Sequence, residues 1–316
     1  MTIRRVEFIV TYLCNSRCKH CQLSDDRTGF PNHINRDLAV DIIRKVSKHH
    51  RPKSIMTFGG EPMLFPEVVY AIHREALRVG ISSRELITNG SWSGRRELIE
   101  QMASSLSNSG VNEVDFSVDC FHQEFIPIQR VRVAAESLLR AGIRRIEWNP
   151  CWLISKDHDN DYNTKTKAIL NVLSDLSVAR GEGNVMRAEG RATKNLEGFF
   201  QRKTTLPEGK CGEIPYTEKL DSVRGICIEP DGRVAVCNQF YIGNASQTDI
   251  IELLENYDPY EIPEAKAIIE GGMEGLLNWA KKKGVMPDPK GYYSICDMCT
   301  SIRAEANKKH EMMAGR

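Results

Sequence analysis

The chain has 316 residues, longer than one average domain, and reads as one large domain followed by a smaller one. Hydrophobic residues make up 41%, enough for a large core, while Lys+Arg (43) and Asp+Glu (42) nearly cancel, so no global field favours nucleic acid or an anionic membrane. The first apolar run is broken by Glu7 and is too short for a signal peptide, and no later stretch approaches a membrane span. The expected location is therefore cytoplasmic, where ten cysteines point to metal rather than to disulfides.

From residue 3 to about 190, short β-branched or aliphatic runs alternate with amphipathic stretches of helical length. The spacing predicts strands at 6–11, 54–58, 83–87, 113–118, 145–148 and 184–187. Helical patterns fall between them at 36–48, 66–79, 94–107, 130–141 and 165–178, with Gly80, Gly110 and Gly142 at helix ends. Such alternation implies an α/β fold of βα units on a parallel sheet, six units being too few for a complete eight-fold barrel. In barrels of this type chemistry sits at the C-terminal ends of the strands.

The first strand runs into Cys14-Asn-Ser-Arg-Cys18-Lys-His-Cys21, three cysteines spaced C-x3-C-x2-C. Thiolates hold iron–sulfur clusters, and three of them leave one iron of a cubane open; a structural zinc site would want four closed ligands. This motif, directly after a first strand, resembles the radical S-adenosylmethionine (SAM) superfamily. The resemblance implies a partial (β/α)6 TIM-type barrel over residues 1–195 and a [4Fe-4S] cluster on Cys14, Cys18 and Cys21. It also implies SAM on the open iron, cleaved reductively to a 5′-deoxyadenosyl radical, and an electron donor of the flavodoxin or ferredoxin type.

The later strand ends extend the likeness. Gly59-Gly60-Glu61-Pro62 follows the second strand; two glycines permit close backbone approach, and Glu61 can accept a hydrogen bond from an ammonium group. In the family this segment holds the amino group of SAM. Thr88-Asn89-Gly90 ends the third strand, either as an ordinary Asn-Gly turn or, by resemblance, near the nucleoside. Ser117 and Asp119 share one face at the fourth strand's end and resemble the family's ribose or carboxylate contact, although aspartates also finish strands as caps. Asn149, at the end of the fifth strand, can reach a ribose, and Arg187 or Arg191 reads either as a partner for a carboxylate of SAM or of the substrate or as a solvated surface arginine. Cys120 and Cys151 belong to no metal-spaced group; they read as hydrogen donors to a substrate radical or as small buried apolar residues. His122, near Glu124, is a candidate acid or base.

After residue 192 the pattern changes. The stretch 196–213 is charged and loop-rich, and Gly225 to Cys237 reads as a β-hairpin around Pro230-Asp231-Gly232. A helix is predicted at 248–256, and a polar segment with glycines and prolines leads to the C-x2-C of Cys296 and Cys299. Five cysteines lie here: Cys211, Cys227, Cys237, Cys296 and Cys299. The segment resembles the SPASM/Twitch auxiliary-cluster domains, in the shorter form with one [4Fe-4S] cluster on four of the five, Cys211 and Cys227 competing for one place. A structural zinc knot fits C-x9-C plus C-x2-C equally well in isolation. The implied architecture is thus a partial barrel followed, over 196–316, by a small β-hairpin plus helix auxiliary-cluster domain.

The first cysteine comes at residue 14, leaving no room before it for a peptide-binding domain. The leading expectation is therefore an enzyme that abstracts hydrogen from a C–H bond of a small molecule, in an oxidation or rearrangement. The alternatives are a maturase of a ribosomally made peptide, by epimerisation or crosslinking, and a non-catalytic iron–sulfur or SAM-binding protein. Neither a nucleic-acid nor a membrane partner is expected.

Overall fold

Alternating burial along the first strand, β1 (Arg5–Thr11), sets the architecture. Val6, Phe8 and Val10 are buried while Arg5, Glu7 and Ile9 stay half-buried on the other face. The same alternation recurs in β2 (Ser54–Gly59), β3 (Ser83–Thr88), β4 (Glu113–Ser117) and β5 (Arg145–Asn149). Each strand pairs in parallel with the next, beginning Arg5 to Ser54 and ending Ser117 to Asn149. Between them run α1 (Arg36–His50), α2 (Pro66–Arg78), α3 (Arg96–Asn108) and α4 (Ile128–Arg140). This computed structural model describes residues 1–23, 29–207, 211–214, 217–237 and 240–314. Of the loop-rich stretch read at 196–213, residues 208–210 lie outside them.

The buried face packs on the helices. Ile42, Ile43 and Val46 of α1 join Phe8, Ile55, Phe116 and Trp148 of the strands in one continuous core. Phe116 sits between Trp148, at a centroid distance of 5.4 Å, and Trp92, at 6.3 Å. Helix α1 starts at Asn35, whose side chain accepts from the amides of Asp37 and Leu38, a cap of the favoured type.

The sixth expected barrel strand takes another form. The sheet's next parallel position is β7 (Ala179–Arg180), paired with β5. Residues 184–185 instead form β8 (Asn184–Val185), which pairs with β6 (Cys151–Trp152) in a separate two-stranded sheet. Pro150 and Gly183 divide the run: a Cβ on Gly183, whose φ is +76°, would sit 2.3 Å from the Pro150 carbonyl oxygen. The fifth helix, α5 (Asp161–Val172), starts and ends before the predicted 165–178, because the Asn160 side chain caps it through the amide of Asn163. A short α6 (Ala192–Asn195) follows.

The C-terminal part extends the same sheet. Its hairpin is β9 (Gly225–Ile228) and β10 (Arg233–Cys237), with β11 (Phe240–Asn244) added antiparallel. Strand β9 runs parallel to β1, giving one nine-stranded sheet in the order β11-β10-β9-β1-β2-β3-β4-β5-β7. Three helices complete the chain: α7 (Ile250–Glu255), α8 (Pro263–Lys282) and α9 (Ile295–Ala314). Most of α8 falls in the stretch read as a polar segment, because its helical pattern is interrupted at Gly271-Gly272. There the structure kinks, with Gly272 at φ 59°. Among the described residues no helix is long and apolar enough to cross a membrane.

One buried polar contact ties a strand to its helix. The Thr57 hydroxyl and His73 Nε2 lie 2.8 Å apart, both residues fully buried. Burial holds His73 down at about 3, whereas the unfolded chain protonates it near its ordinary value of about 6.5. Below that value the unfolded state binds the extra proton, so His73 costs stability as pH falls. Replacing it by leucine loses the bond to Thr57 but removes this acid penalty. In urea melts the stability gap between wild type and His73→Leu should therefore narrow, by up to about 1.4 kcal/mol per pH unit below pH ~6. A gap independent of pH would contradict a histidine buried neutral.

Candidate active site

The cysteine loop is built against the turn after β2. Gly59 has φ +137°, and a Cβ there would lie 2.4 Å from the Thr11 carbonyl oxygen; one on Gly60 would lie 2.1 Å from that of Leu13. Only glycine permits this approach. The amides of Gly60 and Glu61 donate to Thr11 O (2.7 Å) and Leu13 O (2.8 Å), so the two loops run edge to edge. The close approach expected of these glycines is thus made, in this structure, to the backbone that carries Cys14.

Glu61 is fully buried. Its carboxylate accepts from the Thr88 hydroxyl (2.8 Å), the Asn89 amide (2.8 Å) and the Met63 amide (3.0 Å). Burial pushes it up to about 7 against the pull of these donors. Pro62 opens the single helical turn that Glu61 caps. Asn89 then reaches the cysteine loop: its Nδ2 donates to Asn15 Oδ1 at 2.8 Å and lies 3.8 Å from Cys14 Sγ. The structure so brings Gly59, Gly60, Glu61, Pro62, Thr88 and Asn89 together around Cys14.

Within the loop, the Ser16 hydroxyl stands 3.3 Å from both Cys14 Sγ and Cys18 Sγ. Cys14 is exposed, Cys18 buried and Cys21 half-buried. Burial pushes the Cys18 thiol up to about 12, with Cys14 and Cys21 as electrostatic neighbours. From the other side, the Arg191 amide donates to Cys21 O at 2.8 Å. Gly190 is pressed so close that a Cβ would lie 2.2 Å from Gln22 O. Three thiols on one short loop are a donor set that fits an iron–sulfur cluster with one iron left for another ligand.

Beneath the loop lies a second apolar nucleus, separate from the main core. Cys18, Phe121, Leu153 and Met186 belong to it, with Cys21, Cys120 and Cys151 packed against them. Cys120 and Cys151 are electrostatic neighbours there; burial pushes Cys120 up to about 11 and Cys151 well above the ordinary thiol range. Both therefore stay thiols at neutral pH.

The strand ends differ in what they offer. Ser117 and Asn149 pair on the half-buried face of the sheet, and Asn149 Nδ2 donates to Asp115 at 3.0 Å. Asp119, expected as a contact to SAM or as a cap, is engaged by groups of the chain itself. It is fully buried and accepts from the amides of Phe121 (3.0 Å), His122 (2.9 Å) and Cys151 (3.1 Å). His122 Nδ1 lies 3.0 Å from both of its oxygens. Burial alone would raise Asp119, but the histidines and these donors hold it well below the usual carboxylate range. The turn at 120–122 supplies two of these amides at once, the geometry of a cap. Arg187 forms an ion pair with Glu189, 2.5 Å apart.

In the tail, the six pairs among Cys211, Cys237, Cys296 and Cys299 are all electrostatic neighbours. Cys227 is not in this group; its neighbours are Glu7, Glu229 and Arg5. The sheet register explains why: Cys227 pairs with Glu7 of β1 and Ala235 of β10, inside the ladder. Arg187 and Glu189 are electrostatic neighbours of Cys296. A cavity of about 320 Å³ opens between the two parts, lined among others by Met186, Arg187, Phe200, Tyr293 and Cys296.

Sequence reasoning passed over several residues that build this mouth. Asn163 is buried and holds the 153–158 loop through Leu153, Ser155 and His158. Ser16 and Asn15 organise the cysteine loop. None of them carries a spacing signal; only the three-dimensional contact reveals it.

Comparisons with known proteins agree with this geometry. Residues 8–147 match the family model of the radical SAM superfamily. The GTP 3′,8-cyclase of Lactiplantibacillus plantarum is 28% identical over 118 residues, 37% of this chain and 33% of that protein. The match thus spans about a third of that relative's length. Native anSMEcpe with bound AdoMet and Cp18Cys peptide superposes with a TM-score of 0.52 at 15% identity, over 84% of this chain and 83% of that one. BtrN in complex with AdoMet and 2-DOIA gives 0.51 at 14% identity, over 87% and 90%. The central parallel sheet matches the radical SAM partial TIM barrel, a fold that binds a [4Fe-4S] cluster and AdoMet. Residues 8–147 thus carry the likeness to the radical SAM superfamily, and the central sheet carries its fold.

Proposed function

We propose that the chain uses Cys14, Cys18 and Cys21 to hold a [4Fe-4S] cluster and acts on a small-molecule substrate in the cavity beside Cys296. The observation that supports this most is the cavity itself, about 320 Å³, between the barrel mouth and the tail cysteines. A volume of that size suits a small molecule. Bound together, the cluster and SAM supply a 5′-deoxyadenosyl radical able to take a hydrogen atom from a C–H bond. The chain's own part is positioning and exclusion of water. Glu61, Thr88 and Asn89 keep the cysteine loop in register, and Asn149 and Ser117 offer polar groups on the sheet face toward SAM. Arg187, held by Glu189, is the cation nearest to a substrate carboxylate or phosphate in the cavity. Cys120 and Cys151, kept protonated by burial, are the candidate hydrogen donors back to a substrate radical. The tail, over 196–316, acts as an auxiliary domain whose cluster sits on Cys211, Cys237, Cys296 and Cys299. Relatives named GTP 3′,8-cyclase make a purine nucleotide the first substrate to try.

Three measurements test this reading. Anaerobic reconstitution should give about eight irons per chain, against about four if the tail holds zinc; Cys211→Ala should lower the count and Cys227→Ala should not. Gly60→Ala, which drives a methyl into Leu13 O, should cost the barrel cluster and leave about four irons in the tail. With dithionite and SAM the reconstituted chain should release 5′-deoxyadenosine. No release in the presence of any nucleotide or metabolite tried would sink the catalytic reading.

A further inference from the structure

Cys18, His20 and His122 each bring one ligand atom within 4.8 Å of the other two. They come from separate parts of the chain, the cysteine loop and the turn after β4. Two observations mark them as more than neighbours. The first is orientation: His122 Nδ1 is engaged by both oxygens of Asp119 at 3.0 Å, so Nε2 is the nitrogen His122 has to offer. A carboxylate behind an imidazole is the usual arrangement for fixing a metal-ligating histidine. The second is an unmet need. His20 is only 9% exposed, and its Nδ1 is buried without a hydrogen-bond partner. A buried ring nitrogen left so wants a partner, and an ion between these side chains would supply one.

We propose that the cluster-free chain binds one divalent first-row ion of the zinc or ferrous class through Cys18, His20 and His122, with Asp119 orienting His122. One sulfur and two imidazole nitrogens suit a borderline-soft ion, and three protein ligands leave a fourth tetrahedral position open. Cys18 belongs also to the three-thiol set, so this ion and a cluster on Cys14, Cys18 and Cys21 exclude one another. Zinc held here blocks cluster assembly, and ferrous iron held here occupies the first of its ligands. The inference stands on the side chains alone and does not depend on the catalytic reading.

The test is an anaerobic titration of the full-length, cluster-free chain with Co²⁺, followed by absorption and X-ray absorption spectroscopy. One equivalent should show mixed nitrogen and sulfur ligation, and cobalt at the tail cysteines should show sulfur alone. His20→Phe or His122→Gln should abolish the mixed equivalent while near-UV circular dichroism stays unchanged. Asp119→Asn should weaken it about 10–100-fold. The double variant Cys14→Ala/Cys21→Ala, altering two residues outside the proposed site, should keep it. A mixed signature that survives both histidine changes overturns the proposal, as does its loss in the Cys14/Cys21 double variant. Because that double variant leaves both histidines in place, it decides the matter even where a histidine variant fails to fold.

Discussion

The mouth of this barrel depends on a backbone contact that only glycine allows. Gly59 and Gly60 bring the β2 turn against Thr11 and Leu13 so closely that any side chain would collide with a carbonyl oxygen. The contact supplies the two backbone hydrogen bonds that hold the start of the cysteine loop. Glu61 follows directly and can bury its carboxylate only because Thr88, Asn89 and Met63 supply donors. A buried carboxylate left without them would be costly. Three strand ends are therefore locked by one short segment, and Cys14 takes its place from that lock through Asn89. The geometry of the cysteine loop is thus inherited from the main chain rather than from the thiols.

The two apolar nuclei divide the labour. The larger, built from Phe8, Phe116, Trp148 and the helices, fixes the sheet. The smaller, around Cys18, Phe121 and Met186, lies at the mouth, where burial keeps Cys120 and Cys151 protonated and leaves His20 short of a partner. An apolar nucleus of this kind strengthens every charge within it. That is why Asp119, ionised and fully buried, is surrounded by three amides and an imidazole.

What the sequence made legible follows from how local each signal is. Strands β1 to β5 and helices α1 to α4 carry complete two-residue and 3.6-residue periods, and the predicted spans fall within a few residues of the observed ones. C-x3-C-x2-C and Gly-Gly-Glu-Pro are each contiguous and each follow a strand, so the residue order alone places both at the same end of the sheet. The sixth strand was misplaced because Pro150 and Gly183 split the run, and α8 was hidden by a glycine pair that kinks it. At Asp119 a Ser-x-Asp pattern cannot tell a cofactor contact from a cap, and the three amides that donate to it come from a turn and a strand no local pattern links. His20 and His122 stand about a hundred residues apart, and no spacing announces that they meet.

The choice between Cys211 and Cys227 turns on register rather than on motif. Distance in sequence left both open, since Cys227 lies five residues before Gly232 and Cys211 some way further. But β9 joins the barrel by running parallel to β1, and this pairing fixes Cys227 opposite Glu7. A one-residue slip would turn it to the other face. Such a slip would also expose Ile226 and Ile228, now buried at 1% and 0%, at a cost of about 1.5–3 kcal/mol each. The hydrophobic register of the hairpin therefore holds Cys227 in the ladder, apart from the group that Cys211 forms with Cys237, Cys296 and Cys299.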